Sequence, residues 1–441
     1  MRSSLMKKVV LAAALVAVLT RGAFAQTPAP TALSQPAQAA QPAPVADVLG
    51  FDDAVQRAIA ANPTAERAAT AVRSAEALLL QARAAVRPSI DGSIVTTVLD
   101  GERGFSGNVV QPQTQVLFAG SASTPVLAMA QWAARAQAAE RISLARLAAD
   151  DVRRQVGVAA AEAYLSIVGA KRQVDVNERA RDTAQAQLDY ARARREGGVG
   201  SRLNELRAAQ ELAVIQEAVE QSRLAVALGQ EALGLITASD RPVDTAGEPA
   251  LEAPALDGES WLRSRTDITL FDARIDAAGR VVADSWKDWV PTVRAAFEPQ
   301  YITPSGLFSP SGTWRAVLTA TVPIFDGGQR RAVKAFREVE VSLAKVDLKD
   351  GELRAKSGVR SARVSIAAEA LSLERSREAA AHAAEVLRIT DIAFRAGATT
   401  NIEVVDAQRR SRDADTAVRR AEDRARLARL ALLVALGQFP R

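Results

Sequence analysis

The acids Glu403 and Asp406 are a pair whose type and spacing could do chemistry. They lie three positions apart in a segment with helical periodicity, so both carboxylates share one face of the helix. The helix dipole favours an acid in the first turn, which is a sufficient reason for Glu403. Asp406 lies beyond the first turn, and the dipole alone does not explain it. The pair is therefore a candidate electrostatic site.

The remaining chemistry-bearing residues do not indicate an enzyme. The sequence contains 1 His and no Cys, which excludes disulfides, thiolate metal sites and thiol catalysis. His382 lies in an Ala-rich helical segment, where a solvated or packed side chain is a simpler interpretation than a ligand or a base. Because no phosphate-binding loop and no cluster of catalytic groups accompanies it, we expect no active site, no cofactor and no metal.

Composition indicates long helices. Aromatic residues make up only 4% of the 441 residues, whereas charged residues make up 24%. The formal net charge of +5 falls to about +1 without the leader, because four basic residues precede the first acid, Asp47. A chain so weakly charged and so poor in aromatic residues is not expected to bind nucleic acid.

Residues 1–25 form a predicted signal peptide. Lys7 and Lys8 precede the apolar run Val9–Leu19, and Ala23-Phe24-Ala25 is a small-x-small cleavage site. No later segment has enough uninterrupted apolar residues to cross a bilayer as a helix. Residues 26–47, rich in Pro, Ala and Gln, are predicted to be a flexible tether.

Two structural repeats follow. The first, residues 48–236, contains two short helices, strands at about 89–98 and 109–118, a helix from about 126 to 195 that ends at Gly197-Gly198, and a return helix. After a linker at 237–260, the second repeat at 261–438 contains a helix from 265 to 290, strands at about 292–301 and 313–324, a helix from 331 to about 396 that ends at Gly397, and a return helix. Matched landmarks lie a nearly constant distance apart, which indicates a tandem duplication.

A change of period marks the joint between strand and helix. Residues 314–324 alternate between apolar and mostly polar positions, as a strand with two different faces does. A strand-breaking turn then leads into the long helix, and its residues are Pro323, Phe325, Asp326, Gly327 and Gly328. Ala119-Gly120, which follows Phe118, is interpreted as the same joint in the first repeat.

Four strands per chain cannot close a sheet by themselves. Their apolar faces have no visible partner within the chain, and open edges must be paired or covered. In lipid, only a closed barrel satisfies every backbone group of a sheet. Strands of about ten residues with apolar residues outward and polar residues inward are typical of outer-membrane barrels. Several chains are therefore expected to contribute to one barrel.

The motifs at these landmarks resemble those of the TolC-like outer membrane efflux protein family. In the second repeat they are Pro323-Ile324-Phe325-Asp326-Gly327-Gly328 before Arg330-Arg331, and Gly397-Ala398-Thr399-Thr400 before Glu403-Val404-Val405-Asp406-Ala407-Gln408. Asn62-Pro63, Ala82-Arg83-Ala84 with Pro88, and Gly198–Ser201 followed by Leu206 resemble the counterparts in the first repeat. The resemblance extends from about residue 48 to 438.

The resemblance implies a mainly α fold with a small β part. Three chains would form a transmembrane β-barrel in the outer membrane of a Gram-negative bacterium, and their antiparallel helices would form an α-barrel tunnel across the periplasm. It also implies a passive exit duct for efflux or type I secretion, which works with a periplasmic adaptor and an inner-membrane pump of the RND, ABC or MFS type. The missing lipidated Cys indicates an unlipidated duct and leaves the choice of pump open. The alternative, a periplasmic coiled-coil adaptor or scaffold, does not account for strands at matching points of both repeats.

The same resemblance assigns roles to individual residues. The periplasmic gate would contain Glu403, Asp406, Phe394 and Thr399. The surfaces that adaptor hairpins contact would contain Gly198, Val199, Ser201, Leu203, Gly397, Ala398, Thr400 and Ile402. Trp314, Trp286 and Trp289 are candidate interface aromatics facing outer-membrane lipid, with packing under the barrel rim as the alternative for the last two.

Overall fold

The computed structural model describes residues 46–252, 260–308 and 310–440. The predicted signal peptide, the predicted tether up to residue 45 and residues 253–259 of the predicted linker lie outside the described residues. The helices and strands in chain order are β1 (Asp47–Leu49), α1 (Phe51–Ala61), α2 (Pro63–Ala84), β2 (Ser89–Val98), β3 (Arg103–Phe105), β4 (Asn108–Gln111), β5 (Thr114–Leu127), α3 (Met129–Glu196), α4 (Arg202–Ile236), β6 (Val243–Thr245), α5 (Thr266–Ala283), β7 (Thr292–Thr303), β8 (Gly312–Thr321), α6 (Gln329–Arg395) and α7 (Asn401–Ala435).

Two long antiparallel helix pairs dominate the fold, α3 with α4 and α6 with α7. The 68 residues of α3 extend about 100 Å at 1.5 Å per residue. The predicted mainly α fold is confirmed, and the long helices begin and end within a few residues of their predicted bounds. Within the described residues, no helix combines the length and the apolar character that crossing a bilayer requires.

Local sequence signals explain where the short helices meet. The Asn62 side chain accepts a hydrogen bond from the Thr64 backbone N–H at 2.8 Å, and Pro63 occupies the first turn of α2. The Asn62 amide also donates to the Ile236 carbonyl at 2.8 Å. One residue therefore starts α2 and attaches it to the end of α4.

A four-stranded antiparallel sheet has the order β2-β5-β7-β8. Its register aligns Ile90 with Ala122, Ala122 with Phe297, and Phe297 with Ala316. Because side chains alternate along each strand, this register sorts the sheet into an apolar face and a polar face, as the alternation predicted. β2 and β8 are the two edge strands of the sheet. Among the described residues, β2 pairs only with β5 and β8 pairs only with β7.

The predicted bounds of the second strand, 109–118, were wrong, because these residues belong to two different strands. β5 runs from Thr114 to Leu127, and β4 pairs instead with β3 in a separate small hairpin. The small residues at 119–122 do not break the strand, because Gly120 pairs with Gly92 and lies against Pro299 of β7. A Cβ on Gly120 would lie 3.2 Å from the Pro299 side chain. Ala119-Gly120 is therefore not a joint, and β5 runs almost directly into α3.

Three other predicted bounds also need correction. The tether was predicted to end at residue 47, but Asp47 begins β1, which pairs in parallel with β6 inside the predicted linker. The linker is held against α3, because Tyr164 Oη donates to the Gly247 carbonyl at 2.9 Å and Lys171 Nζ lies 2.6 Å from Asp244. The predicted helix 265–290 ends at Ala283 and continues as a 3₁₀ helix over Asp284–Trp289. Val290 is extended, because Pro291 disfavours α-helical backbone at the residue before it. Strand four ends at Thr321, three residues earlier than predicted, because Pro323 cannot donate to the ladder.

The main hydrophobic core lies where α1 and the end of α7 meet the middle of α3. Its buried residues include Val55, Ala58, Ala160, Ala161 and Leu433. Gly157 allows this close approach, because a Cβ there would lie 2.8 Å from the Pro440 side chain. Small residues thus let three helices pack closely at this level.

Arg154 of α3 connects the first half of the chain to the end of the second. Its guanidinium donates to the carbonyls of Phe439 and Val434, each at 3.0 Å, and to Thr266 Oγ1 at 3.3 Å. Burial lowers the pKa of Arg154, and the neighbouring Arg265 charge acts in the same direction. The Val434 carbonyl, in the last turn of α7, also accepts from the Gly437 backbone N–H at 3.0 Å, so Arg154 gives it a second donor and connects it to Phe439.

We predict that Arg154→Met lowers the free energy of unfolding by about 2–4 kcal/mol, because the Val434 and Phe439 carbonyls lose a charged donor. The matched control is Arg153→Met, which removes only an exposed ion pair to Asp150 and should change stability by less than about 0.5 kcal/mol. Thermal unfolding of the two variants beside the unmodified protein measures the difference. Equal unfolding midpoints for both variants would contradict this role of Arg154.

Candidate functional site

The two long helix pairs end in matching turns, which we call tip 1 (residues 197–201) and tip 2 (residues 396–400). Gly198 and Gly397 have φ values of +74° and +80°, a left-handed conformation that favours glycine. The next residue in each tip donates back to the helix: Val199 N–H to Arg194 O at 3.0 Å, and Ala398 N–H to Ala393 O at 2.8 Å. Both tips thus close their helices with the same hydrogen-bonding pattern.

Apolar side chains are exposed at the tips. Val199 is 70% exposed, and Leu203 and Ile402, in the first turns of the return helices, are also exposed. The Ser201 hydroxyl accepts a hydrogen bond from Asn204 N–H at 3.3 Å and so caps α4. These positions combine a fixed backbone with apolar side chains that no other described residue covers.

An aromatic and cationic stack connects the two tips. The rings of Tyr190 and Phe394 meet edge to face with centroids 5.8 Å apart. The Arg194 guanidinium lies 5.8 Å from the Tyr190 ring and 5.7 Å from the Phe394 ring. Phe394 is buried by this contact, whereas Arg395 is exposed and pairs with Asp391 at 2.9 Å. Phe394 therefore joins α6 to the end of α3.

A buried amide contact lies beside this stack. Gln187 Nε2 donates to Asn401 Oδ1 at 2.7 Å, and Asn401 Nδ2 lies 3.5 Å from the Asn204 carbonyl. Asn401 and Gln187 are both buried. Because an unpaired buried amide is costly, this contact favours one arrangement of the two helix pairs.

The acids Glu403 and Asp406 lie at the exposed side of the start of α7. Asp406 pairs with Arg410 one turn further along the helix at 2.9 Å. The described residues provide no ion-pair partner for the exposed carboxylate of Glu403. The side-chain oxygen of Thr399, in tip 2, is buried and has no hydrogen-bond partner among the residues that the structure describes. The helix thus buries Val404 and presents the acids outward.

Further from the tips, charged groups join the same helices. Glu211 of α4 lies 3.4 Å from Arg412 and 3.7 Å from Arg409 of α7. Arg172 of α3 lies 3.1 Å from Asp423 of α7 and also pairs with Glu248 of the predicted linker. Burial lowers the pKa of Arg172 and raises the pKa of Asp423. Since burial disfavours both charges, this pair orients the helices more than it stabilises them.

The sequence did not identify several of these contacts. Tyr190 and Arg194 contact Phe394, and Gln187 contacts Asn401, across about two hundred residues of sequence. No local pattern relates these partners. The scarcity of aromatic residues was a usable signal, since Tyr190 and Phe394 both lie shortly before a terminating glycine. A buried amide at the first position of a helix gave no such signal.

The joint between β8 and α6 is a compact turn. The Asp326 carboxylate accepts hydrogen bonds from the backbone N–H groups of Gly328 and Arg330, each at 3.0 Å, and from Arg330 Nε at 2.6 Å. Arg330 also donates to the Pro323 carbonyl and lies over the Trp289 ring, 4.5 Å from its centroid. Gly327 and Gly328 have φ values of +66° and +91°, and the preceding Phe325 is 89% exposed.

Aromatic side chains lie at both ends of the sheet. Trp314, which is 70% exposed, lies near the β7–β8 loop and contacts the Phe297 ring at a centroid distance of 5.8 Å. Trp286 and Trp289 lie in the 3₁₀ helix before β7, at the opposite end, and are exposed. The apolar face between them carries exposed residues such as Ile90 and Leu318.

Solved structures with this fold include outer-membrane channels. A membrane protein from Pseudomonas aeruginosa matches with a TM-score of 0.75 and 20% identity, covering 91% of this chain and 96% of the other. The Campylobacter jejuni CmeC outer membrane channel matches with a TM-score of 0.75 and 14% identity over 89% and 87% of the two chains. The open state of the Neisseria gonorrhoeae MtrE outer membrane channel matches with a TM-score of 0.71 and 16% identity over 95% and 98%. No curated protein sequence matches the chain.

The chain therefore has the fold of these outer-membrane channels. Residues 259–438 match the family described as outer membrane efflux protein. This match and the fold confirm the resemblance to the TolC-like outer membrane efflux protein family and the predicted location in the outer membrane. Family and fold support an exit duct, and the proteins that share them are channels rather than enzymes.

We predict that Phe394→Ala loosens both tips, because it removes the ring that contacts Tyr190 and Arg194. Truncating a buried Phe costs about 3–5 kcal/mol, and a site at a helix end should lie at the lower limit. Backbone hydrogen exchange should accelerate around residues 187–198 and 390–401. Phe105→Ala, which removes an exposed ring in β3, is the control and should leave tip exchange unchanged. Unchanged tip exchange in Phe394→Ala would contradict the role assigned to the stack.

Proposed function

We propose that the protein is the trimeric outer-membrane exit duct of a tripartite efflux or type I secretion system. Three chains close one barrel in the membrane and one helical tunnel in the periplasm. Substrates pass through it passively after a periplasmic adaptor and an inner-membrane pump deliver them. Its periplasmic mouth is gated.

The observation that carries the proposal is the open four-stranded sheet. β2 and β8 leave the backbone groups of both edges unpaired within the described chain, and one face exposes residues such as Ile90, which is 84% exposed. In lipid, an unpaired edge is costly, and closure with other copies removes it. The edge β8 of one chain can pair with the edge β2 of the next, and a threefold arrangement makes twelve strands.

The helices support the same assembly. Exposed apolar residues recur along α6 at spacings of three, four or seven residues. They are Phe336, Val339, Leu343, Val346 and Leu353. This spacing is typical of a helix seam that packs against another helix. No described helix of the same chain covers these side chains, so a neighbouring chain is their proposed partner.

The tips form the proposed periplasmic mouth. Glu403 and Asp406 line it, Phe394 and Thr399 hold it, and an adaptor contacts the exposed tip residues (Gly198, Val199, Ser201, Leu203, Gly397, Ala398, Thr400 and Ile402). The buried Gln187–Asn401 contact and the Tyr190–Phe394 stack support a defined arrangement of the two helix pairs of each chain at this mouth. Trp314 belongs to the outer aromatic girdle, Trp286 and Trp289 to the inner one, and the residues of the joint (Pro323, Phe325, Asp326, Gly327 and Gly328) lie at the inner membrane surface.

Fractionation and mass measurement test the proposal. The protein should sediment with the outer membrane and, after extraction in detergent, give a native mass of three chains. A soluble periplasmic monomer would be incompatible with a duct and would favour the scaffold alternative.

The acids at the mouth should set ion preference. Glu403→Gln with Asp406→Asn removes two carboxylates per chain from a narrow opening, so the potassium-to-chloride permeability ratio should fall by at least about twofold in planar bilayers. Asp100→Asn with Glu102→Gln, in the loop after β2, removes the same charge and is the control. If both double variants leave the permeability ratio unchanged, Glu403 and Asp406 do not set ion preference, and their interaction with the helix dipole is the remaining explanation.

A further inference from the structure

The polar face of the four-stranded sheet carries four charged residues, and they are Asp91, Arg294, Glu298 and Arg315. Glu298 and Arg315 lie opposite each other in the register and form an ion pair. Their charges cancel at one level of the sheet, which leaves Asp91 and Arg294 to be explained.

Arg294 has no carboxylate within ion-pair distance among the described residues. Its guanidinium donates instead to Ser123 Oγ at 3.1 Å, and Ser123 Oγ lies 3.1 Å from Ser89 Oγ. Thr319 of β8 lies directly opposite Arg294 in the register. A guanidinium and three hydroxyl groups from four adjacent strands therefore gather on one face.

Asp91 is too distant to neutralise this group. It aligns with Ser121 of β5, whereas Arg294 aligns with Pro125, four residues further along the same strand. Four strand residues correspond to about 13 Å, which exceeds the Debye length at physiological ionic strength. Arg294 also lies near the start of β7, at the end of the sheet where the helices begin.

We propose that Arg294, with Ser123, Ser89 and Thr319, forms an anion-contact site on the inner wall of the barrel. The site takes chloride and the carboxylate or phosphate groups of passing solutes, because the guanidinium and the hydroxyls present hydrogen-bond donors and no negative charge. The proposal rests on the proposed trimeric duct, in which three copies make a basic ring at the foot of the barrel. The bore then attracts anions at this level and cations at its mouth, and each ring raises the local concentration of its counter-ion.

The Ser123 contact restrains the Arg294 side chain. The guanidinium is exposed on an open face and would otherwise sample many rotamers. The hydrogen bond to Ser123, itself in contact with Ser89, keeps the charge close to the wall and leaves its other N–H groups for a ligand. Because the three Arg294 side chains of the proposed trimer lie against the barrel wall, they do not block the bore.

Reversal potentials in planar bilayers test the proposal. The channel is studied with Glu403→Gln and Asp406→Asn in place, so that the mouth does not set the permeability ratio. Potassium chloride is about 0.01 M on the barrel side, where the Debye length is about 30 Å, and about 0.1 M on the tip side. In this background, Arg294→Gln should raise the potassium-to-chloride permeability ratio by at least about twofold.

Two controls separate charge from structure. Arg294→Lys keeps the positive charge and should leave the ratio unchanged, and Glu298→Gln with Arg315→Gln removes an ion pair without changing net charge and should also leave it unchanged. An unchanged ratio in Arg294→Gln, or an equal shift in the double variant, would overturn the anion site while the duct stands. Absence of any conducting pore with the unmodified protein would instead overturn the proposed duct and the ring with it.

Discussion

The two unpaired edges of the four-stranded sheet are the constraint on which the rest of the structure depends. β2 and β8 expose backbone donors and acceptors, and the apolar face beside them carries side chains such as Ile90 and Trp314 toward the surroundings. A sheet of this kind is unfavourable in water, and in lipid it is favourable only when its edges are closed. In the proposed trimer, three copies around one axis close the hydrogen-bonded ladder, and the apolar face lies against lipid. The same proposed assembly accounts for the exposed apolar residues of α6, because a neighbouring chain would cover them.

The sheet and the long helices are joined differently in the two halves of the chain. In the second half, Asp326 accepts three hydrogen bonds and fixes both the turn and the first residues of α6, while Trp289 packs under Arg330. In the first half, β5 passes into α3 with only Ala128 between them, and Ala128 is buried. At the other end of the helices, two tips of the same backbone form are held together by one aromatic stack and one buried amide contact. The two halves of the chain therefore share their geometry at the tips and differ at the joints.

Local patterns were sufficient for the helices, the glycine turns and the alternation of the strands. They failed where tertiary packing decided the outcome. The small residues around Gly120 indicated a break in the strand. In the structure they lie inside β5, where Pro299 of the neighbouring strand leaves little room for a side chain at Gly120. Asp47 was assigned to a tether because its strand partner, Val243, lies almost two hundred residues away. The Tyr190–Phe394 stack and the Gln187–Asn401 contact could not be predicted for the same reason, whereas Gly198 and Gly397 could, since their left-handed turns depend on the local backbone.

Disulfide trapping between the two sheet edges tests the central claim most directly. The natural chain has no Cys, so introduced pairs are the only thiols. Within one chain β2 and β8 are separated by three strand spacings, about 14 Å, which is too far for a disulfide. Cysteines at Ser93 or Thr97 of β2 are combined with cysteines at Thr313 or Thr319 of β8, and the oxidised outer membrane is examined without reductant. Covalent dimers and trimers are the predicted result, and exclusively monomeric protein from every combination would contradict the closure of the barrel by neighbouring chains.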